Sequence, residues 1–173
     1  HILFKYRSGI RENHSTDVTL SFLKDKVVKG FELRYFTGMI LTDLQKAFDT
    51  LDHELLIAKL HAYGFQKSSL RFLHSYLCNR WHRTKVDTKF STWAELIQGV
   101  PQGSVLGPLL FNIYLNDLFF LTEFTEVCNF ADDTTFYASD YNIQSLINRL
   151  EHDSFLASEW FKSNYIKLNP DKC

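Results

Sequence analysis

Residues 127–138 read VCNFADDTTFYA, and this stretch decides the fold. Val127–Phe130 and Thr134–Ala138 are two short runs rich in β-branched and aromatic residues, the composition of strands. Ala131-Asp132-Asp133 between them is the turn of an antiparallel hairpin. Asp is at home in turns, so a solvated acidic turn is one reading. The other follows from crowding. Phe130 on one side and Phe136-Tyr137 on the other hold the turn against a packed sheet edge, where two like charges repel unless a cation neutralises them. Magnesium, which takes one or two carboxylates together with substrate phosphates, is such a cation.

Upstream, residues 33–43 (LRYFTGMILTD) form a second apolar run that reads as a strand ending at Asp43, another carboxylate at a strand end. Ser15 or Thr16 is positioned to cap a helix carrying Val18, Leu20, Phe22, Leu23 and Val27, with Gly30 as its stop. Asp49 and Asp52 lie where the next helix begins and are read as capping residues. That helix carries Leu55, Leu56, Lys59, Leu60 and Tyr63 and closes at Gly64. A short helix from Ser68 or Ser69 carries Leu70, Leu73, Tyr76 and Leu77. Residues 80–98 read as extended segments or a hairpin.

Gly99–Pro108, GVPQGSVLGP, places three glycines and two prolines in ten residues. Such a loop lets a nucleotide or a template backbone approach closely, or simply leads into a helix. It is neither a P-loop nor a GxGxxG turn, and Gln102 is its exposed polar candidate. Pro108 suits the first turn of the following helix. A long amphipathic helix carries Ile143, Leu146, Ile147, Leu150, Ala157 and Trp160, and NYIKLNPDKC reads as a strand running into a turn. Trp160 and Tyr165 are expected in the core. The pattern is α+β rather than alternating β-α-β.

With 173 residues, 45% apolar and 23% charged, the chain can bury a core and is not disordered. No apolar run reaches the roughly 18 charge-free residues of a membrane helix. Cys78, Cys128 and Cys173 are too scattered for a disulfide framework or a zinc site, and free thiols are expected. The net charge of −1 conceals segregation. Arg71, Arg80, Arg83, Lys85 and Lys89 face only Asp87 in their stretch, whereas residues 112–160 hold nine carboxylates against Arg149. A basic segment beside an acidic one suits an anionic polymer held near divalent cations, or an ordinary solvated surface.

Three blocks carry a resemblance. LTDLQKAFDTLDH (Leu41–His53), QGVPQGSVLGPLLFNIYLNDL (Gln98–Leu118) and FADD (Phe130–Asp133) resemble, in order and spacing, palm motifs A, B and C of the reverse transcriptases. YRSGIRENHST (Tyr6–Thr16) looks like the family's fingers motif, and WFKSNYIKLNPDK (Trp160–Lys172) resembles the region of motif D. SYLCNR (Ser75–Arg80) is similar to the jockey-like, non-LTR retrotransposon branch. The resemblance implies a right-hand polymerase palm, an antiparallel sheet backed by helices, with partial fingers over about 1–32. The remainder, about 33–173, is mostly palm with a fingers-like segment near 65–98. The chain begins at His1 and ends at Cys173, so a fragment with the thumb absent is expected.

The same resemblance implies an RNA-directed DNA polymerase that adds dNTPs to a primer 3′-OH with two Mg²⁺ ions, Mn²⁺ being a substitute. Its partners are an RNA template and a DNA primer or target DNA, with no membrane and an open oligomeric state. Its location is nucleus and cytoplasm. Asp43, Asp132 and Asp133 are implied as catalytic metal-binding acids, with the Leu44 carbonyl as a further ligand. Phe48 is implied as a steric gate against a 2′-OH, its other reading being a core residue. Gln102 and Gly103 are implied to contact nucleotide and template, Arg11 the triphosphate, and Lys172 to act as general acid. A different class of function, an inactive or co-opted remnant that binds nucleic acid or a partner, is the alternative.

Overall fold

The computed structural model describes residues 7–8, 15–130 and 133–173; Arg11 and Asp132 lie outside the described residues. In chain order the elements are β1 (Arg7–Ser8), α1 (Thr16–Glu32), β2 (Phe36–Thr42), α2 (His53–Ala62) and α3 (Lys67–Leu77). There follow β3 (Arg80–His82), β4 (Lys85–Val86), β5 (Lys89–Phe90), β6 (Ala94–Leu96) and α4 (Leu106–Leu115). The chain closes with β7 (Glu126–Phe130), β8 (Asp133–Asp140) and α5 (Ile143–Ser163). The chain forms two compact units, one of His1–Ala47 with Leu115–Cys173, the other of Phe48–Tyr114.

The first unit is built on a sheet in the order β1-β7-β8-β2, parallel between β1 and β7 and antiparallel elsewhere. The expected hairpin is present, with Phe130 paired to Asp133, so Asp133 opens β8 rather than sitting in the turn. A Cβ on Gly30 of α1 would strike Thr37, and a Cβ on Gly38 would strike Leu150 of α5 and touch Leu146. Adjacent strand residues point to opposite faces. Helix α1 therefore covers one face of the sheet and α5 the other.

Gly30 accordingly does not end α1, which continues to Glu32; the glycine serves close packing instead of a helix stop. Ser15 caps that helix by accepting from Val18 N–H, and Asn142 caps α5 by accepting from Gln144 and Ser145. Phe136, Tyr137, Leu146, Trp160 and Phe161 are buried in this unit. Tyr165, expected in the core, is exposed, because its left-handed φ of 56° turns the chain out after α5.

The second unit packs Leu51, Leu56, Leu60, Leu77, Phe111 and Tyr114 out of water. Asp52 caps α2 through Leu55 N–H, at 2.8 Å. Lys59, on the same helix, is buried, and its Nζ donates to the Tyr114 carbonyl at 2.8 Å while lying 4.8 Å from the ring centroid. Gly99 has φ +85°, and a Cβ there would meet the Asp49 backbone at 2.8 Å, so this glycine is required both by conformation and by space. The expected extended stretch becomes two short ladders, β3 with β6 and β4 with β5. Cys78, Cys128 and Cys173 are free, and burial pushes the Cys128 thiol up to about 11, which keeps it protonated at neutral pH. No helix among the described residues is long and apolar enough to cross a membrane.

Candidate active site

In the first unit, strand pairing brings the acids together. β2 and β8 run antiparallel with Thr42 opposite Thr134. Asp43 follows Thr42 and Asp133 precedes Thr134, so the two acids lie at the same end of this strand pair. Both residues line one cavity of about 420 Å³ on the α1 side of the sheet, with Phe130, Cys128 and Lys172. Ala131 and Asp132 join Phe130 to Asp133 in the chain and lie outside the described residues.

The carboxyl-terminal segment fixes Asp43 from two directions. Its carbonyl accepts from Asn169 N–H at 2.9 Å, and its Oδ2 accepts from Asn169 Nδ2 at 2.8 Å. Asn169 Oδ1 in turn accepts from Asp171 N–H at 3.3 Å, so both ends of the amide are engaged. Lys172 Nζ lies 3.5 Å from the same Oδ2. Both side-chain contacts fall on one oxygen, and Oδ1 has no donor among the described residues. Leu44 bridges Leu168, but the bonds of that bridge are Gln45 N–H to Lys167 O and Asn169 N–H to Asp43 O. The Leu44 carbonyl takes no part in it.

Phe48, Gln102 and Gly103 belong to the second unit. Phe48 is half-buried, its ring centroid 4.6 Å from that of Phe111, so one side is packed while the residue keeps access to solvent. Gln102 is exposed and donates from Nε2 to Asp49 Oδ1 at 2.7 Å, in a cavity of about 480 Å³ that Arg80 and His82 also line. Asp49 therefore positions Gln102 and does not cap α2, the role that falls to Asp52. Gly103 has φ +78°, and the space where a Cβ would sit is open. Ser104 Oγ accepts from Gly107 N–H at 3.0 Å and closes the loop onto the start of α4.

The model of the family described as reverse transcriptase (RNA-dependent DNA polymerase) matches residues 3–173. The chain belongs to the reverse transcriptase family. Among curated reverse transcriptase relatives, it is 29% identical to a probable RNA-directed DNA polymerase from transposon BS of Drosophila melanogaster, over 99% of this chain and 20% of that protein. It is 27% identical to the RNA-directed DNA polymerase from the mobile element jockey of the same fly, over 98% of this chain and 19% of that protein. The chain thus spans about a fifth of the length of these relatives. Its branch is that of the non-LTR retrotransposons. The α+β fold is that of solved reverse transcriptases of telomerase. Apo telomerase from Candida tropicalis, truncated from its C-terminal domain, aligns with TM-score 0.64 and 16% identity over 96% of this chain and 35% of that one. Candida albicans telomerase in complex with a fragment of telomeric RNA aligns with TM-score 0.66 and 14% identity, over 96% and 31%.

Among the described residues of this reverse transcriptase domain, no three His, Cys, Asp or Glu side chains converge on one metal-sized point. The candidate ligands at the strand ends are oxygens: Asp43 Oδ1, the Asp133 carboxylate and the Leu44 carbonyl. That is the donor chemistry of a hard cation such as Mg²⁺ rather than of zinc. Asn169 escaped the sequence reading. Its only local signal is an Asn-Pro-Asp turn, and its partner is 126 residues away.

Proposed function

We propose that this chain is the polymerase core of an RNA-directed DNA polymerase, joining dNTPs to a primer 3′-OH on an RNA template. The observation that carries the reading is the cavity at one end of the β2–β8 pair that both Asp43 and Asp133 line, with Asn169 engaged on Asp43. Asp43, Asp132, Asp133 and the Leu44 carbonyl would hold two Mg²⁺ ions, or Mn²⁺. Those ions, when bound, supply charge neutralisation for the attacking and leaving oxygens. The protein's own work is alignment, which phosphoryl transfer needs most. Asn169 holds the Asp43 carboxylate by Oδ2 and leaves Oδ1 available to a cation. Lys172, whose Nζ lies 3.5 Å from the same carboxylate, would give a proton to the departing pyrophosphate. Arg11 completes the triphosphate contacts as a bidentate donor.

Gln102, oriented by Asp49, and Gly103, with open space above its backbone, suit contact with nucleotide and template. In this reading residues 1–32 are partial fingers, the remainder mostly palm, and the site of action includes the nucleus and the cytoplasm. The test is dNTP incorporation on a primed RNA template by a longer protein that contains this chain.

Two consequences can be measured. Asn169→Ala should lower extension about 10- to 100-fold, the usual cost of losing a group that orients a metal ligand. Mn²⁺ titration followed by electron paramagnetic resonance should show weaker binding in the same variant; unchanged Mn²⁺ affinity would refute the positioning role. Phe48→Ala should remove the ring that excludes a 2′-OH, so the rNTP-to-dNTP ratio of kcat/KM should rise by roughly tenfold or more. If the ratio stays put while the protein melts earlier, Phe48 is only the packing partner of Phe111.

A further inference from the structure

We propose that the hairpin from Arg80 to Leu96 is a docking surface for single-stranded nucleic acid, centred on Arg83, Phe90 and Trp93. The hairpin is ordered without a core beneath it. β3 pairs with β6, β4 pairs with β5, and between the two ladders Ser91 N–H donates to Thr84 O at 2.9 Å. Thr84 N–H returns a bond to Ser91 Oγ at 2.9 Å. Every residue from 79 to 95 is exposed. Trp81, Phe90 and Trp93 are nevertheless large rings, 58%, 51% and 58% exposed. Clustered exposed aromatics of this size mark an interaction surface.

The charges say what binds there. Arg80, Arg83, Lys85 and Lys89 stand against Asp87 and Glu95, an excess of cation in a chain that is anionic overall. The Arg83 guanidinium carbon lies 3.9 Å from the Phe90 ring centroid and 4.6 Å from that of Trp93. Lys85 Nζ lies 5.6 Å from the Phe90 centroid. Arg83 thus braces both rings in advance, which lowers the ordering cost of binding. Cations take phosphates and exposed rings take the faces of unpaired bases, the combination found in sequence-tolerant single-strand sites. A duplex hides its base faces, so it would use the cations alone. The choice of nucleic acid among polyanions rests on the polymerase reading above.

The test is titration of the whole chain with oligo(dT) and oligo(rU) of about 15 nucleotides, a length that covers such a site, followed by tryptophan fluorescence. Quenching is expected to saturate, to weaken steeply with salt, and to be weaker for a duplex of equal length. Arg83→Ala and Trp93→Ala should each cost about tenfold in affinity. Lys85→Glu with Lys89→Glu should flatten the salt dependence. Circular dichroism melts of all variants should match the parent, because the exposed hairpin supports no core. Equal binding by these folded variants, or tighter binding of the duplex, would overturn the inference. Primer extension reports on the catalytic reading and the titration reports on the hairpin, so the two can fail separately.

Discussion

Asp43→Ala and Asp132→Ala should each reduce template-directed primer extension roughly thousandfold, with little change in thermal stability. The expectation for Asp43 rests on where its interactions go. Oδ2 is spent on Asn169 and lies near Lys172, Oδ1 has no donor among the described residues, and Asp43 lines a cavity that Asp133 also lines. Removing a carboxylate that gathers cations around a reacting phosphate costs several kcal/mol of transition-state stabilisation, which is a thousandfold or more in rate. The structural cost is small. Asp43 is partly exposed at a strand end, its carbonyl bond to Asn169 survives the substitution, and the lost side-chain bond is worth about 1 kcal/mol. Asp132 shares the expectation through its motif. Single-turnover extension and a melting curve measured on the same preparations separate chemistry from stability. Extension at the parent rate by Asp132→Ala would show the metal assignment to be wrong.

Much of this site was legible because it is built from local signals. Runs rich in aliphatic, β-branched and aromatic residues mark β2, β7 and β8, and a strand that ends on an acid places that acid at a sheet edge. The loop at Gly99–Pro108 announced itself by composition, and φ values of +85° at Gly99 and +78° at Gly103 explain two of its glycines. The ordered motifs then brought in Phe48, Gln102 and Lys172.

What escaped depends on contacts distant in sequence. Gly30 looked like a helix stop because that is the commonest local use of glycine, yet Thr37 on the neighbouring strand is what requires it. Asp49 looked like a cap, but Gln102, 53 residues away, claims its carboxylate. In each case the local rule was sound and a tertiary partner outweighed it.

Asp153 is the strongest case of such a hidden partner, and its replacement by alanine should destabilise the fold by about 3–5 kcal/mol. Its side chain is fully buried on α5. Oδ1 accepts from Glu123 N–H at 3.2 Å, and Oδ2 accepts from Phe124 N–H at 3.0 Å and Thr125 N–H at 2.7 Å. Thr125 Oγ1 donates to Oδ2 at 2.7 Å, and His152 Nδ1 lies 3.1 Å from Oδ1. Three consecutive N–H groups aimed at one carboxylate form an anion nest that pins the entry to β7, the strand leading to the acidic turn. Burial alone would raise the Asp153 pKa, but the bonds from Thr125, His152, Phe124 and Glu123 outweigh it and hold the group below the ordinary carboxylate range. The unfolded chain therefore binds this proton at a higher pH than the native one. The stabilisation is complete above the unfolded value of about 4 and is lost as pH falls through the lower native value. Urea denaturation across that acid range should show a shallower pH slope in Asp153→Asn than in the parent. The same slope in both proteins would mean that Asp153 packs without titrating, and a loss below about 1 kcal/mol in Asp153→Ala would mean that water satisfies the nest.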